Sequence, residues 1–251
     1  MIITKPKVYL VSRTEVDWEV IKKLMEDESL PPIEDSVIGH EHSAYSTIEI
    51  AARMCYMSFG RGRKDIADFI YNLLERKDGS VLEHVNYGFV FTGISRSLSH
   101  ELVRHRAGFA YSQRSQRYVD EAEANFVIPP PIRHDPHMES FFEELMRGAQ
   151  TDYEILVDKL SDSIDDSNLT ATEKRKLIRQ TARSVLPNAT ETKIFVTANV
   201  RAWRHFIELR ASKYADREIQ VLANEVLQIL KDEAPLLFGD FAHGVPKYSK
   251  V

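Results

Sequence analysis

Residues 95–118 read SRSLSHELVRHRAGFAYSQRSQRY. Five of them are arginines, Arg96, Arg104, Arg106, Arg114 and Arg117, joined by His100 and His105 against the single acid Glu101, in a chain whose formal net charge is −5. Guanidiniums this close repel one another unless anions lie among them, and phosphate suits them because arginine offers a planar fork of donors. The stretch therefore reads as an anion site. Ser95 or Ser97 can cap a helix carrying Glu101, Arg104 and His105 at i, i+3 and i+4, hence on one face, with Gly108 as its end. Residues 108–118 show no clean period and read as an irregular loop carried on that helix, the kind of segment from which ligand contacts come.

Working outward, Tyr87, Phe89 and Phe91 alternate with Gly88 and Val90 in a strand that Gly93 closes. Further upstream, residues 7–13 (KVYLVSR) alternate as a first strand, and helical spacing marks one segment from Trp18, another after Ser46 or Thr47 running to about Tyr56, and a third over Ile66 to Leu74. Downstream, IPPPIRHDP (128–136) breaks the chain before a long amphipathic helix that begins with Met138, Phe141 and Phe142 and reaches Leu160. Thr170 with Glu173 forms a capping box for a helix whose last turn holds Arg183, and residues 193–199 (KIFVTAN) read as a strand. In the helix after it, Trp203, Phe206, Ile207 and Tyr214 fall within about 60° of Arg210, so that arginine sits in an apolar stripe and needs a partner. That partner could be a structural acid or a ligand. Arg201 and His205 are neighbours near the same helix's N-terminus, where the dipole favours anions. Residues 219–230 repeat as a core or subunit-contact helix, and the last residues, FGDFAHGVPKYSKV, read as a tail without chemistry.

Hydrophobic residues make up 43% of the chain and charged residues 28%, the balance of an ordinary soluble protein. No apolar run is long enough to cross a bilayer and the first residues lack the pattern of a signal peptide, so the expected location is cytoplasmic, with no membrane partner. A lone cysteine, Cys55, excludes an intramolecular disulfide and a cysteine-built zinc site, and its apolar neighbours make it a buried structural thiol. HEH at 40–42 and HDPH at 134–137 lack a third ligand in view, so no metal is expected. The acidic balance argues against a nucleic-acid coat, although Phe109, Tyr111 and Tyr118 beside the arginines could stack bases in a rival reading. Dinucleotide, phosphate-loop and nucleophile-elbow motifs are absent.

RHRAGFAYSQRSQRYV closely resembles the signature of the flavin-dependent thymidylate synthases, in which Arg-His-Arg is followed at a set distance by Ser and then Arg-Tyr. SVLEHVNYGFVFTGISRSLSHELVRHR before it and ARSVLPNATETKIFVTANVRAWRHFIELRA after it resemble that family's other two blocks in the same order. The resemblance spans roughly residues 51–220. It implies an α+β fold, one domain over residues 1–251 with a β-sheet flanked by long helices. It also implies reductive methylation of dUMP to dTMP, with FAD as hydride carrier and with methylenetetrahydrofolate and NADPH as co-substrates, in a homotetramer whose sites lie at subunit interfaces.

The resemblance also assigns residues. Ser80, Glu83, Arg104, His105, Arg106, Asn199, Arg201 and His205 would hold FAD. Glu101, Arg104, Gln113, Ser115, Gln116, Arg117, Arg183 and Arg210 would bind dUMP, with Arg210 as the catalytic residue that polarises the pyrimidine. Two departures stand out. Eight residues separate Arg106 from Ser115, one more than the family pattern, and Asp78 stands where several members carry a His. An inactive nucleotide- or flavin-binding member of the family is the alternative that such departures leave open.

Overall fold

The computed structural model describes residues 5–33, 43–164 and 168–249. Four strands form one antiparallel sheet: β1 (Lys7–Arg13), β2 (Asn86–Ser95), β3 (Phe109–Gln113) and β4 (Glu191–Asn199), in the order β1-β2-β4-β3. Strand β2 is central and pairs with β4 from Asn86↔Asn199 to Ser95↔Glu191. The ladder slips between Phe91 and Ile94, where Gly93 takes φ 66°. Only glycine enters that left-handed region cheaply, so the residue expected to close the strand instead forms a bulge inside it. The Gly93 N–H left over by the bulge donates to Glu191 Oε1 at 2.9 Å.

Before the sheet's central strand come α1 (Trp18–Asp27), α2 (Ser43–Tyr56), α3 (Ile66–Arg76) and a 3₁₀ turn, Gly79–His84. Between β2 and β3 lies α4 (Arg96–Leu102), capped by the Ser95 hydroxyl, which accepts from Leu98 N. The helices α5 (Pro136–Ser163) and α6 (Ala171–Ala182) follow as a pair, and the Thr170–Glu173 capping box forms as expected. Strand β4 then leads directly into α7 (Val200–Arg210), followed by α8 (Arg217–Glu233), α9 (Pro235–Phe238) and a hairpin of β5 (Phe241–Ala242) and β6 (Val245–Pro246). The architecture is the expected α+β class.

Trp203 of α7 anchors the core. Fully buried, it meets Phe89 and Phe109 edge-on at ring distances of 5.2 and 5.1 Å, and its indole N–H donates to Tyr87 O at 3.0 Å. Edge-to-face geometry lets positive ring edges meet negative faces, and the carbonyl satisfies the one polar atom the indole buries. Helix α8 closes the far side with Ile219, Leu222, Val226 and Leu230, and its buried Glu218 accepts from Ser95 N at 2.8 Å and Ser95 Oγ at 2.6 Å.

Several expectations change. Residues 109–113 are a strand, not irregular loop: Phe109, Tyr111 and Gln113 turn inward while Ala110 and Ser112 face out, a period of two held by pairing with β4. Helix α4 stops at Leu102 well before Gly108, because the Tyr111 hydroxyl lies 2.9 Å from Leu102 O and 2.6 Å from His105 O, occupying carbonyls that a continuing helix would use. Arg183 caps α6 rather than lying in its last turn. Tyr214 is 86% exposed, beyond the end of α7, so it leaves the apolar stripe. Cys55 is exposed on the last turn of α2, where Met54 and Tyr56 are exposed too.

The C-terminal residues are more than a tail. Buried Arg204 binds both carboxylate oxygens of Asp240 at 2.7 and 2.9 Å, and also reaches the carbonyls of Leu237 and Tyr248. Both side chains of this pair are about 5% exposed or less. Removing one partner strands the other charge in the interior. The Arg204→Met variant is therefore expected to lose ~3–5 kcal/mol of unfolding free energy in urea titration, with Arg204→Met/Asp240→Leu recovering part of it. A loss below about 1 kcal/mol, the range of exposed pairs, would show that this ion pair does not hold the hairpin.

Candidate active site

Helices α4 and α7 leave opposite ends of the β2–β4 ladder and meet at their C-terminal turns. There Arg210 donates from Nη1 to Glu101 Oε2 at 2.7 Å and from Nε to His105 Nε2 at 2.9 Å. The buried-stripe arginine thus has two protein partners, while its Nη2 has none among the described residues. Accepting from Arg210 requires His105 to be neutral, with its proton on Nδ1. Burial lowers the His105 pKa from 6.5 to about 4, helped by the charge of Arg210 and by His205. The ring packs against Phe206 at 5.2 Å and Phe109 at 5.9 Å, with His205 at 6.5 Å.

Beside this cluster opens a cavity of about 500 Å³. Glu83, Asn199, Arg201 and His205 line it, all expected cofactor residues, and the C-terminal residues Phe241 and Tyr248 form part of its wall. Asn199 caps α7 by accepting from Ala202 N at 2.8 Å, which fixes its side chain at the cavity edge. Arg201 and Glu83 pair at 2.6 Å, each about half exposed. Gly108 takes φ 74°, and a Cβ there would lie 2.7 Å from Asn199 Nδ2, so only glycine lets the turn before β3 close onto the cavity rim. The other expected cofactor residues, Ser80, Arg104 and Arg106, are exposed and do not line this cavity.

The expected nucleotide residues divide differently. Gln113, at the end of β3, donates from Nε2 to Ser99 Oγ at 2.9 Å and Thr192 Oγ1 at 3.2 Å, so its amide nitrogen is held by the scaffold. Ser115 Oγ accepts from Arg117 N at 3.3 Å, and Ser115 O closes a turn to Val119 N. Ser115 and Gln116 are half-buried; Arg117 and Arg183 are exposed. No hydrogen bond or ion pair among the described residues joins Arg117 or Arg183 to the Arg210 cluster.

Beneath the loop, Arg96 and Arg114, two of the five arginines expected to need a bound anion, gather instead around a buried acid of the protein, Glu121. Arg114 pairs with fully buried Glu121 at 3.0 Å, and Arg96 donates to Arg114 O at 2.8 Å. Burial pushes the Glu121 carboxyl up and the Arg96 guanidinium down, the latter opposed by Glu121 and reinforced by Arg114 and Arg183. The signal in sequence was the arginine count itself, but local spacing says nothing of Glu121. Asp78 pairs with Arg76 at 3.2 Å and lines a different cavity from Glu83. The HEH at 40–42 lies outside the described residues, while Asp135 of HDPH caps α5.

A cavity lined by both arginines and glutamates, next to an anchored Arg–Glu–His cluster on an antiparallel sheet wrapped by helices, defines an α+β protein with a ligand-sized cleft. Residues 36–236 match the family model described as thymidylate synthase complementing protein. Over 197 residues, the chain is 46% identical to the flavin-dependent thymidylate synthase of Mycobacteroides abscessus and 47% identical to that of Mycolicibacterium vanbaalenii, in each case covering 77% of this chain and 78% of the relative. The Mycobacterium tuberculosis enzyme of the same name is 45% identical over the same length. The chain belongs to the flavin-dependent thymidylate synthase family.

Because the folded His105 pKa lies below its ordinary value, the stability it contributes is present in full above pH 6.5 and is lost as pH falls through about 4. NMR titration is expected to place the His105 midpoint near 4 and to raise it in Arg210→Ala. A midpoint near 6.5 in the unmodified protein would show that burial and Arg210 do not act on the ring.

Proposed function

We propose that this chain converts dUMP to dTMP by reductive methylation, with methylenetetrahydrofolate as carbon donor, NADPH as reductant and FAD as hydride carrier. The observation that carries the site assignment is the Arg210 cluster. A guanidinium held by Glu101 and His105, with one nitrogen unspent, is a preorganised donor for a carbonyl on which negative charge develops. Arg210 is the catalytic residue in this reading and touches the pyrimidine of dUMP. Neutral His105 takes a hydrogen bond from Arg210 without adding a competing positive charge, and Glu101 fixes the guanidinium plane while facing the nucleotide.

Glu83, Asn199, Arg201 and His205 suit a ligand that carries both phosphates and an aromatic ring, and the close approach at Gly108 leaves a backbone cradle. FAD fits that donor set; when bound, it supplies the two-electron chemistry that no side chain here can. His105 lies behind His205, and Ser80, Arg104 and Arg106 complete the FAD contacts from outside the cavity. Gln113, Ser115, Gln116 and Arg117 wrap the nucleotide, with Arg104, Arg117 and Arg183 on its phosphate. Exposed arginines need such an anion, and in water their own repulsion is otherwise relieved only by solvent and salt.

The same exposure supports a homotetramer with sites at subunit interfaces. Arg104, Arg106, Arg117 and Arg183 stand outside the 500 Å³ cavity of their own chain, and Met138, Phe141, Leu145 and Ile155 are exposed apolar residues along α5. Residues 1–251 form one domain of this family in our reading, supported by a sheet that joins strands from both halves of the chain. Among the described residues no helix is long and apolar enough to cross a membrane. A cytoplasmic location agrees with a reaction that draws on reduced nicotinamide and folate pools.

Purified protein is expected to carry a flavin absorption band and form dTMP from dUMP with both co-substrates present. Arg210→Ala should lower kcat by about 10²–10³-fold, the cost of removing one oxyanion donor, while most of the FAD remains bound. A colourless protein that takes up no FAD, or unchanged turnover in the variant, would refute these assignments.

A further inference from the structure

We propose a second anion site in the cavity between the 57–65 loop and the end of α3, taking the phosphate or carboxylate end of a co-substrate. The cavity holds about 300 Å³ and is lined in part by Arg53, Tyr56, Arg61, Arg63, Arg76 and Asp78. Arg53 is its scaffold. Only 7% exposed, it donates from Nε to Glu49 Oε1 at 2.6 Å, from Nη1 to the carbonyls of Ser58 at 3.0 Å and Arg61 at 2.6 Å, and from Nη2 to Arg63 O at 2.8 Å. One buried guanidinium thus pins three carbonyls of a loop that turns through Gly60 and Gly62 at φ 69° and 80°.

Charge counting singles out two side chains. Glu49 answers Arg53, and Asp78 answers Arg76 at 3.2 Å. Arg61 and Arg63 are exposed, and their guanidiniums have no hydrogen bond or ion pair among the described residues. The lining therefore carries two uncompensated positive charges on a backbone already fixed in place. A concave, low-dielectric wall focuses that potential, and guanidiniums favour oxyanions that accept two bonds at once. The volume is at the small end for ligand sites, which matches one end of a larger molecule.

The site is joined to the proposed chemistry by one short turn. Asp78 precedes the Gly79–His84 turn and lines this cavity, while Glu83 near the turn's end lines the 500 Å³ cavity and pairs with Arg201. This part rests on the thymidylate synthase reading, in which both co-substrates carry oxyanions away from their reacting ends: the 2′-phosphate of NADPH and the glutamyl carboxylates of the folate.

The test uses FAD-loaded protein and Arg61→Ala/Arg63→Ala, with Arg53 left intact to hold the loop. Calorimetric titration compares adenosine 2′,5′-bisphosphate with adenosine 5′-phosphate, and a tetraglutamyl folate with its monoglutamyl form. The native protein is expected to prefer the more anionic member of at least one pair by about tenfold, and the double variant to lose that preference with FAD content and Tm unchanged. The pair that responds identifies the source of the anion. Should the double variant fail to fold, Arg63→Gln is expected to weaken the preferred probe by about threefold. Failure of both pairs to discriminate in the native protein, or discrimination that survives the substitutions, would overturn the proposal. Anion preference in a protein that makes no dTMP would instead count against the enzymatic reading alone.

Discussion

Pairing of β2 with β4 is the constraint on which the rest of the site depends. Each strand ends in a residue that caps the next helix, Ser95 for α4 and Asn199 for α7, and the antiparallel register sets those caps at opposite ends of one ladder. The two helices then run toward each other and bring their C-terminal turns together, where partial negative charge favours cations. Arg210 at the end of α7 and the Arg104–Arg106 triplet after α4 occupy that place. A one-residue slip in the ladder would flip Phe89 and Phe91 out of the core and carry α7 away from Glu101 and His105.

Buried charge does a different job in this protein from exposed charge. Arg53 with Glu49, Arg204 with Asp240, and Arg114 with Glu121 each hold an irregular segment against the scaffold: the 57–65 loop, the C-terminal hairpin and the residues after β3. Irregular backbone leaves carbonyls that no helix or sheet satisfies, and a guanidinium with five donors can satisfy several at once. Desolvating these pairs costs free energy that hydrophobic replacements would not, so their return is in geometry rather than stability. Each of the three fixed segments borders a cavity or the proposed nucleotide loop. Arg104, Arg106, Arg117 and Arg183, by contrast, are exposed and make no side-chain ion pair among the described residues, so they stay available to ligands.

Much of this organisation was legible in the sequence where the determining interaction is local. Alternation marked residues 7–13 as a strand, the Thr170–Glu173 pair announced its helix, and the cap of α4 was narrowed to Ser95 or Ser97, of which the fold uses Ser95, because each signal acts within four residues. Strand β3 was missed for the opposite reason. Its five residues alternate only weakly, and the partner that makes them a strand, β4, lies some eighty positions away in sequence. The end of α2 inverted the local pattern altogether, burying Arg53 and exposing Met54, Cys55 and Tyr56, since three loop carbonyls outweigh the apolar preference of the neighbours. Sequence could say that Arg210 needed a partner, and only the fold could supply Glu101 and His105. The Arg204–Asp240 pair, and with it the C-terminal wall of the larger cavity, gave no local sign at all.

A net charge of −5 on the whole chain sharpens the meaning of the arginine clusters. Were the positive residues spread evenly, each would find an acid nearby, as Arg147 does with Glu143 and Arg179 with Asp120. Instead the chain leaves guanidiniums unanswered in the places where the fold also provides concavity or a pinned loop. An arginine without a protein anion keeps its hydration until a ligand replaces it, so the free energy of pairing is spent on binding rather than on folding. His105 extends the same logic inward: burial and Arg210 keep it neutral, so the one group that could have cancelled or doubled the local charge does neither. His105 therefore stays an acceptor near neutral pH, and its bond from Arg210, with that from Arg210 to Glu101, fixes the direction of the donor that faces the pyrimidine in the proposed mechanism.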